Sequence, residues 1–547
     1  MTTSTRPEWH TTGARAEPSG WAIAGWGALA CLPALLLGCY YYARIFTGLA
    51  EPAAMDVAQV ARHIARGHGF ASSSLSPLAY SQCPRPEAVV TQGPLYPLVL
   101  GVVFALAGAR DGVSALVSLA CHLLAVAAVF VLGYRAFGLR SAWYAALLFA
   151  LGAPMAGAAV AGLPISLAAL TLTLAFVWAL RASQEGGGRA ALGAGLWAGA
   201  AWLTGLVSCL LAPLLALWLG LAREWRRAGV CLAAAGLLAV PWLVRNWLVT
   251  GHPLGLGRFE LALFTPAFPG STLQRGFHPD LSLSWVVANH WPGILLKGAG
   301  GLASLLSLAA AVGGLAVLLL GAASVFMRLP SDLALMRMTF LGLVGVTAVA
   351  SGFMAPRLDR LLPLLGVAAV LSGEALARLA AARTHPLLRR SLVGGALVLT
   401  AYSAGLQMLG SNLYPRQGGE LRACLQRLAD YAPPGGLVAT DLPWAVAWYA
   451  DRRALWLPQQ PGDERALAAR GVRPVCLYLS PYLPGSPPQE RLGRWQQAAA
   501  SGRPPAGYRR AAGWQGGTLF LAQALPAGGA RAAHTAPVAW VRPRQRR

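Results

Sequence analysis

A mainly helical, polytopic membrane protein with a small C-terminal α/β soluble domain is the fold class the sequence predicts, on three observations. Hydrophobic residues make up 56% of the 547 residues and charged residues 12%, too apolar for a soluble multidomain chain. Runs of about 20 apolar residues, the length that crosses a bilayer core, recur from Trp21 to about Leu409 and then stop. From Ser411 helix-like and strand-like segments alternate, as in a small α/β domain.

Residues 1–20 are rich in Thr, Pro and Arg without periodicity and predict a disordered cytoplasmic tail. A first span runs from about Trp21 to Phe46, and the polar segment Glu51 to Pro97 follows it as a first outer loop. Within this loop MDVAQVARHIARGHGF reads at helical period. Val57, Val60, Ala61, Ile64 and Ala65 fall on one side, and Asp56, Gln59, Arg62, His63 and Arg66 on the other. Such an amphipathic helix suits a membrane surface. Gly67 and Gly69 end it, SSSLSP reads as a turn-rich link, and GPLYPLVLGVVFALAG opens a second apolar helix. Pro94 sits near the first turn of that helix, where a missing N–H costs little.

Further spans are expected near residues 112–134, 141–159, 163–181, 190–205, 207–222, 228–249, 294–327, 338–354, 361–382 and 391–410, about eleven in all by hydropathy and charge bias. Basic clusters at Arg135 to Arg140, Arg181 to Arg189, Arg223 to Arg227, Arg328 to Arg337 and Arg378 to Arg390 then fall in cytoplasmic loops. The outer side receives the first loop (51–97), a second loop (250–292), the short Ala355 to Arg360 turn, and everything after Gly410. Residues 21–410 are therefore the membrane domain and 411–525 an outer α/β domain. There GELRACLQRLADYA and ERALAARGV are helix-like, and GLVATD, PVCLYLS and TLFLAQA are strand-like. Residues 526–547 are expected to be a disordered basic tail.

The formal charge of +24 does not point to nucleic acid, because the basic residues sit between spans rather than in one aromatic-interleaved patch. The eight cysteines show no C-x-x-C spacing, and most lie in apolar spans as small buried hydrophobes.

The Asp-bearing first loop, GPLYPLVL, PWLVRNWLVTGHP (Pro241 to Pro253) and MAPRLDRLLPLLGV (Met354 to Val367), in that order along the chain, resemble polyprenyl-phosphate-sugar-dependent glycosyltransferases of the GT-C fold. The subgroup is the dolichyl-phosphate-mannose protein mannosyltransferase and aminoarabinose transferase superfamily, which includes the rhizobial lipopolysaccharide-core transferases. The resemblance covers about residues 20 to 410. It implies inverting transfer of a sugar from a polyprenyl-phosphate carrier to an extracytoplasmic acceptor, lipid, glycan or protein, at a bacterial inner membrane. In such a reaction a carboxylate takes the acceptor proton, and cations stabilise the departing phosphate.

Asp56 is the expected general base. Arg245, Asn246, Arg357, Arg360, Tyr96, Gln92 and Glu87 are the candidate substrate-binding residues. A divalent metal stays open, with His63 as a weak candidate ligand beside Asp56. The family's second acidic residue is missing from AGLPIS (Ala161 to Ser166), and Gln92-Gly93 stands where a Glu-Lys pair is common; Glu87 or Glu260 would be the replacement acid. In the C-terminal domain, Trp444 and Trp448 with Asp441 and Asp451 suit a polar, sugar-like partner, and the domain is expected to cover the site and help choose the acceptor. The competing readings are a non-catalytic membrane scaffold or lipid-sugar binding protein of the same fold, and a transporter. A carrier calls for ionisable residues inside spans, where this chain has few.

Overall fold

The computed structural model describes residues 20–523 except 186, 313–314, 355–357, 383–384, 414–417, 487–491 and 515–516. The predicted tail 526–547, and all of the N-terminal tail but residue 20, lie outside the described residues. The first span is two helices, α1 (Gly20–Ala30) and α2 (Leu32–Arg44), with a proline in the first turn of the second. The first outer loop then forms α3 (Pro52–Ala65), β1 (Ser74–Leu75), α4 (Pro77–Gln82) and α5 (Leu95–Ala107). Pro52 starts α3 without wasting a donor, and Gly67 takes a left-handed φ of +79° just beyond its end.

The membrane domain continues through α6 (Asp111–Phe137), α7 (Leu139–Leu151), α8 (Ala153–Ala158), α9 (Ile165–Gln184), α10 (Gly188–Thr204), α11 (Leu211–Leu221) and α12 (Trp225–Thr250). After the second outer loop, which holds α13 (Thr272–Arg275), come α14 (Leu283–Val312), α15 (Leu315–Ser324), α16 (Ser331–Phe353), α17 (Leu365–Ala381) and α18 (Pro386–Leu413). Among the described residues, six segments are long and apolar enough to cross a membrane: Trp21–Arg44, Asp111–Phe137, Ile165–Gln184, Trp225–Thr250, Ser331–Phe353 and Leu362–Ala381. Leu95–Ala107, Leu139–Leu151 and Ser208–Leu221 are shorter apolar helices. The protein is thus a multi-pass membrane protein.

Three expected spans are built differently. The one at 141–159 divides at Gly152, whose extended backbone separates α7 from α8. The one at 207–222 opens with a 3-10 turn, Leu206–Leu210. The one at 294–327 begins earlier, at Leu283, bends at His290 just before Pro292, and divides so that α14 packs on α16 while α15 packs on α17. Interhelical approach is close where side chains are small: a Cβ on Gly195 of α10 would meet the backbone of Cys231 on α12.

The basic loops gather at one end. Arg135 reaches Glu185 at 2.7 Å, Arg227 donates to the Ala182 carbonyl, and Arg378 donates to the Arg328 carbonyl. At the other end the two outer loops meet the C-terminal domain, where the Phe277 amide donates to Asp463 and the Gln459 amide donates to the Arg275 carbonyl.

The C-terminal domain comprises α19 (Gly418–Leu428), β2 (Leu437–Thr440), the single turn α20 (Pro443–Ala445), β3 (Arg453–Trp456), α21 (Pro461–Ala469), β4 (Cys476–Leu479), α22 (Gly493–Ser501), β5 (Tyr508–Trp514) and β6 (Gly517–Ala522). A π-helical turn, Val446–Ala450, continues α20. The sheet order is β1-β3-β2-β4-β6-β5, with β1 to β4 parallel and the β5–β6 hairpin antiparallel. Its first edge strand belongs to the first outer loop: Ser74 pairs with Ala454 and Leu75 with Leu455. The SSSLSP stretch is therefore a strand and not only a turn, because a short polar run becomes extended when a parallel neighbour offers its donors.

This docking corrects the surface-helix expectation for α3. Its apolar face packs on α5, as the periodicity predicts, but its polar face is covered too: Gln59 is 0% exposed and Arg62 8%. Removal of residues 411–547 should therefore loosen the first loop rather than spare it. Limited trypsin digestion of the truncated chain in detergent is expected to cut at Arg62 and Arg66 much faster than in the full chain. Equal cutting rates would show that the loop holds itself.

Candidate active site

Asp56 sits one turn into α3. Its Oδ1 accepts from Gln59 Nε2 at 3.1 Å and its Oδ2 from Gln92 Nε2 at 2.7 Å. Gln92 comes from the segment before α5 and is held there because Gly93 lies against the end of α10, where a side chain would collide with the Leu203 carbonyl. Part of Asp56 stays accessible, yet the surrounding protein strips most of its hydration. That desolvation pushes its pKa up to about 6, against the lowering effect of the two amide donors.

The next polar residues of α3 carry the C-terminal domain. Arg62 donates to the carbonyls of Ala447 and Trp448 in the π-turn, pairs with Asp451 at 2.9 Å, and stacks on the Trp448 ring at 4.9 Å. Arg66 also pairs with Asp451, which takes a left-handed φ of +52°. On the other side of the π-turn, Trp448 Nε1 donates to Asp111 Oδ1 at 2.6 Å and the Tyr449 hydroxyl bonds the Leu49 carbonyl. Arg422 pairs with Asp111 as well. The sugar-platform expectation for Trp448 and Asp451 gives way to a docking role. Asp441 is likewise occupied, by the Ser480 amide and hydroxyl, and Trp444 packs edge-on against Trp456.

The remaining sequence-predicted residues divide. Arg245 Nη2 donates to the carbonyls of Phe70 (3.0 Å) and Ala88 (2.6 Å), Nη1 donates to Asn246 Oδ1 (3.3 Å), and the guanidinium lies against the Phe70 and Trp242 rings. Arg245, expected to bind substrate, braces the first loop against α12, because an extended loop offers carbonyls that a nearby guanidinium satisfies, and Asn246 accepts from it on the same helix. Tyr96 is fully buried, its hydroxyl turned to the Ser114 carbonyl, and so is a core residue rather than a substrate contact. Glu87 engages through its backbone carbonyl, which accepts from the Ser72 amide.

Arg357 lies outside the described residues. Arg360 Nη2 pairs with Glu260 at 2.6 Å, which removes Glu260 as a replacement acid, and Lys297 Nζ donates to the Glu260 carbonyl. Arg360 Nη1 is buried without a hydrogen-bond partner among the described residues. Sequence reasoning missed Asp111, whose signal was a lone acid opening an apolar span, and the roles of Arg62 and Gln59.

No protein-family model matches the sequence, and no curated protein matches it either. Solved structures do. ArnT from Cupriavidus metallidurans bound to undecaprenyl phosphate is similar at TM-score 0.55 and 14% identity, over 91% of this chain and 98% of that one. The archaeal oligosaccharyltransferase AglB from Archaeoglobus fulgidus, in complex with an inhibitory peptide and a dolichol-phosphate, is similar at TM-score 0.57 and 13% identity, over 85% and 70%. Both proteins are GT-C fold glycosyltransferases.

The chain has the GT-C fold.

A further Archaeoglobus fulgidus oligosaccharyltransferase structure is a complex with Zn and sulfate, at TM-score 0.57 and 13% identity, over 84% and 68%. A metal thus stays possible for this GT-C fold. Around Asp56, amide N–H groups face both carboxylate oxygens, and no group of three His, Cys, Asp or Glu side chains converges among the described residues. His63 Nε2 bonds the Ser73 hydroxyl at 2.8 Å and Nδ1 faces His68, while burial first, then the Arg62 charge, pushes its pKa down to about 4. His63 is thus a neutral bracket between α3 and β1.

Replacing Arg245 with Ala should lower the thermal unfolding midpoint in detergent, since two loop carbonyls lose their donor at about 1 kcal/mol each. An unchanged midpoint would mean that water or another donor takes its place.

Proposed function

We propose that the chain is an inverting glycosyltransferase that moves a sugar from a polyprenyl-phosphate carrier to an extracytoplasmic acceptor, with Asp56 as general base. The observation that carries this reading is a desolvated carboxylate with its pKa raised to about 6, on the first outer loop of a GT-C fold, beside a domain that covers the loop. At that pKa Asp56 is largely ionised at neutral pH and still basic enough to take a proton from a hydroxyl as its oxygen attacks the anomeric carbon. The new C–O bond forms as the bond from the anomeric carbon to the phosphate oxygen breaks on the opposite face. The proton ends on Asp56 and the charge on the lipid phosphate.

Arg360, whose Nη1 has no hydrogen-bond partner among the described residues, and Arg357, three residues before it, are the cations assigned to that phosphate. The polyprenyl donor follows the ligands of the two similar proteins, undecaprenyl phosphate and dolichol-phosphate. The site faces away from the basic loops, which the positive-inside rule assigns to the cytoplasm of a bacterial inner membrane.

Asp56→Asn is expected to abolish transfer and leave the protein folded, because the Asn carbonyl still accepts from one of the two glutamines. Transfer retained within tenfold, about 1.4 kcal/mol in barrier, would remove Asp56 from the role. In the wild type, kcat/KM should fall tenfold per pH unit below about 6 as the base is protonated; a flat acid limb would be the contrary result.

The double variant Arg357→Ala/Arg360→Ala should weaken binding of polyprenyl phosphate in detergent by tenfold or more, about 1.4 kcal/mol. Unchanged affinity would make the pair structural, with Glu260 as the partner of Arg360.

A further inference from the structure

Three hydrogen bonds in series run from the C-terminal sheet to the site carboxylate. The Ala454 amide on β3 donates to the Ser73 carbonyl at 2.8 Å. The Ser73 amide donates to Gln59 Oε1 at 2.9 Å, and Gln59 Nε2 donates to Asp56 Oδ1 at 3.1 Å and to Ser72 Oγ at 2.9 Å. A carboxylate only accepts and an amide N–H only donates, so Gln59 satisfies both neighbours in one orientation alone. Nothing else is free to turn it, because Gln59 is fully buried between α3 and the loop.

We propose that Gln59 is a positioning residue through which docking of the C-terminal domain orients Asp56. When β1 adds to β3, the Ser73 carbonyl is held and the backbone on either side of its Cα is fixed with it, so the Ser73 N–H meets the Gln59 amide one way only, and Oδ1 is held while the accessible part of the carboxylate is left for the acceptor. The domain thus acts on the chemistry from a distance, without touching the reacting atoms. The charged groups around this path are already engaged. From α3, Arg62 and Arg66 pair with Asp451 and His63 bonds Ser73; from the π-turn and α6, Trp448 holds Asp111, which also meets Arg422; Gln92, from the segment before α5, is neutral.

This inference rests on the transferase reading only for the word acceptor; the coupling itself can be measured without any transfer. Carbodiimide labelling of Asp56 in the full chain in detergent, followed by mass spectrometry across pH, reads the ionisation of that carboxyl directly. Gln59→Leu should move the labelling midpoint up by about one unit, since a donor to the charged form is lost. Gln59→Asn, which keeps a buried amide one methylene short, should do the same and serves if the Leu variant does not fold. Trp448→Ala touches neither Gln59 nor Asp56 but removes the ring that the π-turn seats between Arg62 and Asp111, and should shift the midpoint by more in the wild-type background than in the Gln59→Leu background, where the path through the amide is already cut.

Midpoints equal to wild type in both Gln59 variants would overturn the positioning role. A shift with Gln59 but none with Trp448→Ala would overturn the link to the domain. Shifted midpoints in a protein that transfers no sugar would leave the coupling standing and sink the transferase reading instead. If transfer is present, the Gln59 variants should lower kcat with little change in donor KM, and the acid limb of the rate should move with the labelling midpoint.

Discussion

The strand pairing between β1 and β3 is the constraint on which the rest of the site depends. It joins residues more than 370 positions apart and makes the first outer loop part of the C-terminal sheet. A two-residue strand contributes little by itself; its neighbours supply the stability. Arg62 caps the π-turn carbonyls, Asp451 neutralises Arg62 and Arg66, and Trp448 seats on Asp111. Arg62 and Asp111 are costly to bury alone and each is satisfied by the π-turn, so the docking is cooperative: loss of the turn leaves a buried charge without its counterpart.

Covering α3 in this way also changes the chemistry of its one carboxylate. On an open membrane surface Asp56 would be hydrated and a weak base. Under the domain it loses water and keeps two neutral donors in place of a cation, a combination that raises basicity while preserving orientation. The nearby cations are spent elsewhere, Arg62 on the π-turn and Arg245 on loop carbonyls. An Arg beside Asp56 would hold its pKa down, so the placement of these two guanidinium groups is part of what leaves the carboxylate basic.

The membrane domain supplies the platform. Small residues let its helices approach closely, and the basic loops at the far end are tied by Arg135 to Glu185, by Arg227 to the Ala182 carbonyl in the last turn of α9, and by Arg378 to the Arg328 carbonyl. At the near end the outer loops interlock instead with the C-terminal domain through Asp463 and the Arg275 carbonyl. Polar anchoring at both ends fixes the spans in register, which apolar contacts between helices in lipid would not do alone.

The sequence by itself determined the helical membrane class, the place of most spans, the amphipathic α3 with Asp56 on its polar face, and the α/β character of the C-terminal domain. These follow from local periodicity and composition, which every short window of chain carries. Tertiary structure alone decided that Gln59 and Arg62 on the polar face of α3 are buried, that Ser74–Leu75 within SSSLSP is a strand, that Arg245 and Tyr96 hold the fold, and that Asp111 receives Trp448. In each case the deciding partner is distant in the chain, and an Arg aimed at a phosphate reads the same as an Arg aimed at a carbonyl until the fold brings one of them within about 3 Å.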